Sequence, residues 1–241
     1  MDLGQKNLSP WNEINKAMLS KRIKYTFITI CMLVLAAGST LAADGPQKNA
    51  PTTTMIAEAE QMLADLGYWI TNVDGRADPS TRHAVVAFQK VEGMKRTGVL
   101  NAAVVEALRN ASRPAAKYSG EAHVEIDISR QVLFFVEETG QISHILPISS
   151  GSGERYFSEG KWQTAYTPLG AFKVTRQIKG TRKAPLGSIY YPSYFYEGWA
   201  IHGSNSIPVT PASHGCARIP RFAEKELSNM MHVGMPVYIY K

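Results

Sequence analysis

The chain has 241 residues, a formal net charge of +6 and two cysteines. Half of the positive excess lies in residues 1–43, and the remaining +3 contains no Lys/Arg run and no zinc-finger spacing, so composition gives no support to a nucleic-acid partner. A mild positive charge suits work beside an anionic surface without requiring it.

In chain order, Ser20-Lys21-Arg22-Ile23-Lys24 is basic, Tyr25 to Ala37 is apolar, and Gly38-Ser39-Thr40-Leu41-Ala42-Ala43-Asp44 supplies small residues. That is the order of a secretory signal, and residues 1–43 are expected to be removed after Ala42 or Ala43. The apolar run is shorter than the roughly 20 residues that cross a bilayer, so no stable span is expected after cleavage. An uncleaved signal anchor is the alternative. Met18 gives a more ordinary signal than Met1, and both stand as starts. Ile30 before Cys31 argues against a lipid anchor. With Cys31 inside the signal, the exported chain carries one thiol, Cys216, which is either buried and inert or kept for chemistry.

Residues 44–53 are polar with two prolines and read as a disordered leader. From 54 to 110 three short helices are predicted. Thr54 caps the first, with Ile56, Ala59, Met62, Leu63 and Leu66 on one face and Gly67 past its end. Asp78 and Pro79 start the second, which carries Val85, Phe88 and Val91 and stops at Gly93. Asn101 caps the third, with Val104, Val105 and Leu108 inward. Residues 111–120 have no apolar period and read as a linker.

The motifs Leu63-Ala64-Asp65-Leu66-Gly67-Tyr68, Val73-Asp74-Gly75, Ser80-Thr81, Ala87-Phe88-Gln89 and Thr97-Gly98-Val99-Leu100 resemble those of the bacterial peptidoglycan-binding domain with three helices. The resemblance implies binding to peptidoglycan, glycan or peptide. The residues themselves explain packing and turns, and a helical spacer is the alternative.

After Gly120 the period changes. His123 to Ile128 alternates, Gln131 to Val136 follows a Ser129-Arg130 turn, and Glu138-Thr139-Gly140-Gln141 precedes a run from Ile142 to Ile148. Ala171 to Ile178, Trp199 to His202 and Pro236 to Tyr240 are further strands, with one helix around Ala223 to Met231. The expected architecture is therefore multidomain: a small all-α domain of three helices, then a mainly β sandwich or barrel over residues 121–241 with one helix. Ser149 to Thr167 reads as a lid or a long surface loop. The aromatics from Tyr190 to Trp199 line a groove or pack the core.

Cys216 stands in Ser213-His214-Gly215-Cys216-Ala217-Arg218, downstream of His202-Gly203. A thiol is a poor nucleophile until a base removes its proton, and both His202 and His214 are near candidates. His214 shares a face with Cys216 on an extended segment but not on every turn. His202 ends an apolar strand, and a loop with Pro208 and Pro211 folds it back. Backbone N–H groups at Gly215 and Cys216 can form an oxyanion hole. Arg218 offers a fork for a substrate carboxylate. Cys216, His214 and His202 could also ligate zinc, but no closely spaced second cysteine or Glu-bearing metal motif accompanies them, so no metal site is expected.

The motif Ser213-His214-Gly215-Cys216-x-Arg218 with the upstream His202-Gly203 resembles the L,D-transpeptidase catalytic domain of bacterial cell-wall enzymes. Thr167 to Val174 and Gly234-Met235-Pro236-Val237-Tyr238 support the likeness, and Ala217 replaces a larger aliphatic residue. The resemblance implies that Cys216 attacks a peptidoglycan stem and releases D-alanine. His202 is the implied base, held by a neighbouring backbone carbonyl, with that of Gly203 the candidate. Gly215 and Cys216 donors with His214 would hold the oxyanion, and Ser213, Arg218 and Gly203 would meet substrate. It also implies that no cofactor is needed, that carbapenems acylate the site, and that the enzyme works in the periplasm or cell wall. Hydrolysis as an L,D-carboxypeptidase and inert wall binding are the competing functions.

Overall fold

A computed structural model describes residues 50–241. The expected export signal over 1–43, and the leader as far as residue 49, lie outside the described residues. Four α-helices and twelve strands are formed among the described residues.

Helix α1 (Thr53–Asp65) is capped by Thr52, whose hydroxyl accepts the Met55 N–H at 3.2 Å. The cap thus falls two residues before the expected Thr54, because three consecutive threonines offer the same local chemistry. Helix α2 (Pro79–Val91) begins as expected, with Asp78 accepting the Thr81 N–H at 2.9 Å and proline at the first position. Helix α3 (Ala102–Asn110) is capped by Asn101, which accepts from Val104 at 3.0 Å. The fully buried Glu60 on α1 ties these pieces together. Its carboxylate accepts the N–H groups of Asp74 and Gly75 at 3.0 and 2.9 Å and the Thr81 hydroxyl at 2.6 Å.

The strands are β1 (His123–Asp127), β2 (Val132–Val136), β3 (Ile142–Pro147), β4 (Arg155–Ser158), β5 (Lys161–Thr164), β6 (Gly170–Lys173), β7 (Arg176–Gln177), β8 (Thr181–Ala184), β9 (Gly187–Tyr196), β10 (Trp199–Ser204), β11 (Ala217–Pro220) and β12 (Pro236–Tyr240). One sheet runs β3-β2-β1-β12-β6. A second runs β11-β10-β9-β7, with β8 also on β9, and β4 and β5 form a two-stranded pair. Helix α4 (Glu224–Met230) follows a short 3-10 turn over Arg221–Ala223. The main core lies between the sheets, where Val124, Ile126, Phe135, Phe195, Ile201 and Val237 meet Leu227 of α4. The expected run from Ala171 to Ile178 is split between the sheets. Val174 N–H donates to Met235, the residue before β12 of the first, and Thr175 N–H to Tyr194 of the second.

Strand β2 is buried on both faces, which its neighbours explain. Leu133 and Phe135 enter the inter-sheet core, while Val132, Phe134 and Val136 enter a second core with Leu63, Val85, Phe88 and Leu108 of the helices. The three helices and the β domain therefore share hydrophobic core, and the described residues belong to one compact unit. The connecting residues 111–120 lack regular structure but are held. Arg113 donates to the carbonyls of Ile142 and Asp65, and the N–H groups of Lys117 and Tyr118 donate to the buried Glu125.

Candidate active site

Strands β10 and β11 pair in parallel, with Ile201 beside Ala217, His202 beside Arg218 and Gly203 beside Ile219. Ile201, Ala217 and Ile219 point into the core. Alternation then turns His202, Cys216 and Arg218 to the opposite face. Cys216 sits one residue before β11, and its sulfur accepts the Ala200 N–H at 3.4 Å. The thiol and the imidazole thus share one face of one strand pair.

A bulge marks the same place. Between Ile201 and Gly203 the register with β9 slips by one residue, and Tyr191 there has φ +47°. Bulges of this kind re-aim a neighbouring side chain. The sequence signal was Pro192, which cannot donate to a ladder and so marks an irregularity inside a strand.

His202 is 5% exposed. Its Nδ1 lies 2.8 Å from the Gly203 carbonyl oxygen. A carbonyl only accepts, so Nδ1 carries the hydrogen and Nε2 holds the basic lone pair. Burial lowers the pKa of His202 below its usual range, the Gly203 bond opposes this, and Arg218 adds to the lowering. Burial raises the Cys216 thiol, while the Ala200 N–H and Arg218 pull it partly back. Both shifts favour a neutral thiol beside a neutral imidazole in the resting site. Burial also lowers the pKa of the half-buried Arg218.

The turn before Cys216 is built by Ser213, which is 3% exposed. Its hydroxyl accepts the Gly215 N–H at 2.9 Å and donates to the Cys216 carbonyl at 2.6 Å. Two expectations are corrected by this. Ser213 was expected at the substrate, but its hydroxyl is committed to the backbone. The Gly215 N–H was expected as an oxyanion donor, but it is given to Ser213. Gly215 has φ +139°, and a Cβ there would come within 2.5 Å of Trp199 Nε1 and 2.7 Å of the Tyr166 oxygen, so glycine is required. The Gly215 carbonyl accepts from Thr167 Oγ1 at 2.5 Å, and Trp199 Nε1 donates to the Tyr166 carbonyl at 2.8 Å.

Gly203, also expected at the substrate, is buried. Its carbonyl serves His202, and a Cβ there would collide with the carboxylate of Glu224. Glu224 is a neighbour that sequence reasoning missed, since nothing local links a helix-start residue to a glycine far upstream in the chain.

His214 is exposed and lies edge-on to Tyr156, 4.6 Å between ring centroids. Tyr156 belongs to the β4–β5 hairpin, so the polar stretch read as lid or loop contains paired strands. Tyr156, Arg155, Ala165, Ala212 and His214 line part of a cleft of about 210 Å³. The aromatic run divides. Tyr194 and Phe195 are core, whereas Trp199 meets Tyr166 at 5.3 Å and the exposed Tyr196 meets Trp199 at 5.6 Å between ring centroids. Among the described residues no group of three or more His, Cys, Asp or Glu is placed to hold a metal ion, and no helix is long and apolar enough to cross a membrane.

Residues 121–239 match the L,D-transpeptidase catalytic domain, and residues 52–108 match a peptidoglycan binding domain. The chain is similar to an L,D-transpeptidase from Xylanimonas cellulosilytica, 38% identical over 80% of this chain and 96% of that one, with a TM-score of 0.73. It is also similar to the L,D-transpeptidase (Yku) from Stackebrandtia nassauensis, 21% identical over 80% and 98% of the two chains, with a TM-score of 0.47. No curated protein sequence matches. Two modules tied to the cell wall, sharing one core, define a cell-wall-associated enzyme. The chain belongs to the L,D-transpeptidase catalytic domain family and carries a peptidoglycan-binding domain ahead of the catalytic one.

Proposed function

We propose that this protein is an exported L,D-transpeptidase in which Cys216 is the nucleophile and His202 the general base. The observation that carries the reading is the placement of both side chains on one face of paired strands, with Nδ1 of His202 engaged and Nε2 left basic. Residues 1–43 supply the export signal, and the helical module keeps the enzyme at the wall by binding peptidoglycan.

The Cys216 thiol attacks the carbonyl between the diamino acid and the terminal D-alanine of a tetrapeptide stem. Its proton passes to His202 Nε2 as the S–C bond forms. The developing oxyanion meets the Cys216 N–H and His214, since the Gly215 N–H is already engaged. The tetrahedral species collapses, the C–N bond breaks, and His202 returns the proton to the departing D-alanine amine. A second stem then offers an amine to the thioester. His202 takes that proton, and the thiol is released as the crosslink forms. Arg218 attracts the substrate's carboxylate from beside His202. Carbapenems enter by the same acylation.

The test is incubation of the protein with a tetrapeptide stem and an acceptor amine, with mass analysis of the Cys216 peptide. Release of D-alanine, a thioester on Cys216 and a crosslinked product are expected. Tripeptide alone would mean hydrolysis instead of transfer. Activity retained by Cys216→Ala would sink the assignment of the nucleophile.

A further inference from the structure

Helix α2 sends one charged side chain into the β domain. Lys90 is 1% exposed, and its Nζ donates to two backbone carbonyls, Gln131 at 3.0 Å and Ile148 at 2.8 Å. Among the described residues it forms no ion pair with a carboxylate. Burial and the neighbouring Arg96 push its pKa down to about 7. An amine buried with only carbonyl partners is costly, and such an arrangement persists where it holds something in place.

The two carbonyls belong to a junction that continues to Cys216. Gln131 is itself 1% exposed and has φ +62°, a conformation disfavoured for a residue with a side chain. Its carbonyl also accepts the Ile148 N–H at 2.9 Å. Its side-chain amide grips Ser150 twice: Nε2 donates to Ser150 Oγ at 2.7 Å, and Oε1 accepts the Ser150 N–H at 2.9 Å. The Ser150 carbonyl in turn accepts the N–H groups of Ala212 and Ser213, at 3.0 and 2.9 Å. Ser149 exchanges both backbone bonds with Arg218, each at 3.1 Å. Ser213 builds the turn that presents Cys216. Hydrogen bonds through the buried Gln131, Ser150 and Ser213 thus lead from Lys90 to the backbone of Cys216.

We propose that Lys90 is a positioning residue for Cys216, acting from the peptidoglycan-binding module through Gln131 and Ser150 on the loop from Ala212 to Cys216. On this reading the module does more than attach the enzyme to the wall. It completes the support of the nucleophile, and the catalytic geometry depends on a helix outside the catalytic domain. The inference rests on the proposed role of Cys216 as nucleophile.

The experiment compares the full chain with Lys90→Met, Gln131→Asn and the double variant. Methionine keeps the length of the stem and removes the donors, leaving the Ile148 carbonyl without its partner. Asparagine tolerates positive φ but is too short to hold Ser150. Each protein is assayed at a temperature where circular dichroism shows it folded. Two readouts are taken: the rate of iodoacetamide alkylation of the Cys216 peptide, and kcat and KM for D-alanine release. Each single variant is expected to lower kcat about tenfold or more with KM little changed, and to alter the Cys216 alkylation rate. The double variant is expected to be no worse than the poorer single, since members of one relay are not additive.

Wild-type kcat and alkylation in folded Lys90→Met would overturn the proposal, whatever its thermal stability. So would a change confined to KM, or additive losses in the double variant. If Lys90→Met fails to fold, Gln131→Asn carries the same test alone, and wild-type kcat and alkylation there overturn the proposal. If the wild type releases no D-alanine, the transpeptidase reading fails. Alkylation of Cys216 still decides the relay.

Discussion

His202 Nδ1 is bonded to the carbonyl of Gly203, the next residue in the chain, at 2.8 Å. A backbone acceptor orients the ring as the carboxylate does in a Ser-His-Asp triad, but brings no charge of its own. Burial is therefore unopposed by a carboxylate and keeps the imidazole neutral.

The pH profile should show this. The lowered pKa of His202 keeps its Nε2 basic as pH falls, so the acid limb of kcat/KM is expected below the ordinary histidine value of about 6.5. The thiol is raised by burial, so less thiolate is present at pH 8 than for free cysteine. Iodoacetamide alkylation of Cys216 should climb only above about pH 8.5. A thiolate titrating near pH 6 would instead show a preformed ion pair.

Ser213→Ala should weaken acylation without removing any group from the reaction. The substitution leaves the Gly215 N–H and the Cys216 carbonyl without the bonds of 2.9 and 2.6 Å. Two such losses cost about 1–3 kcal/mol, which corresponds to roughly a tenfold to hundredfold fall in kcat if the turn relaxes. Steady-state kinetics of D-alanine release would measure it, and wild-type kcat would mean that the turn holds without the hydroxyl.

Gly203→Ala places a methyl group against the Glu224 carboxylate, which also contacts Arg221. Overpacking of this kind costs about 1–3 kcal/mol. Because the Gly203 carbonyl orients His202, kcat should fall along with the urea midpoint. Glu224→Gly in the same chain should restore part of both, because the Glu224 Cβ as well as its carboxylate lies in the path of the new methyl group.

The helices and the sheet should unfold together. Val132, Phe134 and Val136 of β2 share a core with Leu63, Phe88 and Leu108. A single calorimetric transition is expected for the region 50–241, and removal of residues 50–110 should leave an insoluble β domain with one sheet face bared. Two separated transitions would show that the shared core does not couple the modules.

Lys90 gives stability a pH dependence of known sign. Its folded pKa of about 7 lies below the ordinary 10.5, so between those values the unfolded chain binds more protons and stability rises with pH. The urea midpoint should increase from pH 7 toward 10 in the wild type, and this slope should flatten in Lys90→Met. An unchanged slope in the variant would assign the effect to another group.

Much of the fold was legible locally. Asp78-Pro79 and Asn101 start their helices where capping chemistry puts them, and the run from Pro236 to Tyr240 is a strand at the stated residues. Strand β11 was missed because Ala217 to Pro220 is short and ends in proline, and its pairing partner lies well upstream, Ala217 standing beside Ile201. The β4–β5 hairpin was missed because its residues are polar or exposed, so no inward-facing period marks it.

The sequence by itself determined which groups are present for chemistry: one thiol in a glycine-bearing turn, two histidines, one arginine, and an order of modules that agrees with work on the cell wall. Those are properties of residue type and spacing alone. Only the tertiary structure decided how the two histidines divide. The parallel register of β10 and β11 turns His202 to the face of Cys216, while the Ser213 turn leaves His214 exposed beside Tyr156. It also joined Lys90 to that turn through Gln131 and Ser150, residues that lie far apart in the chain. Such contacts depend on strand register and on which faces are buried together, and neither is encoded in any local stretch of the chain.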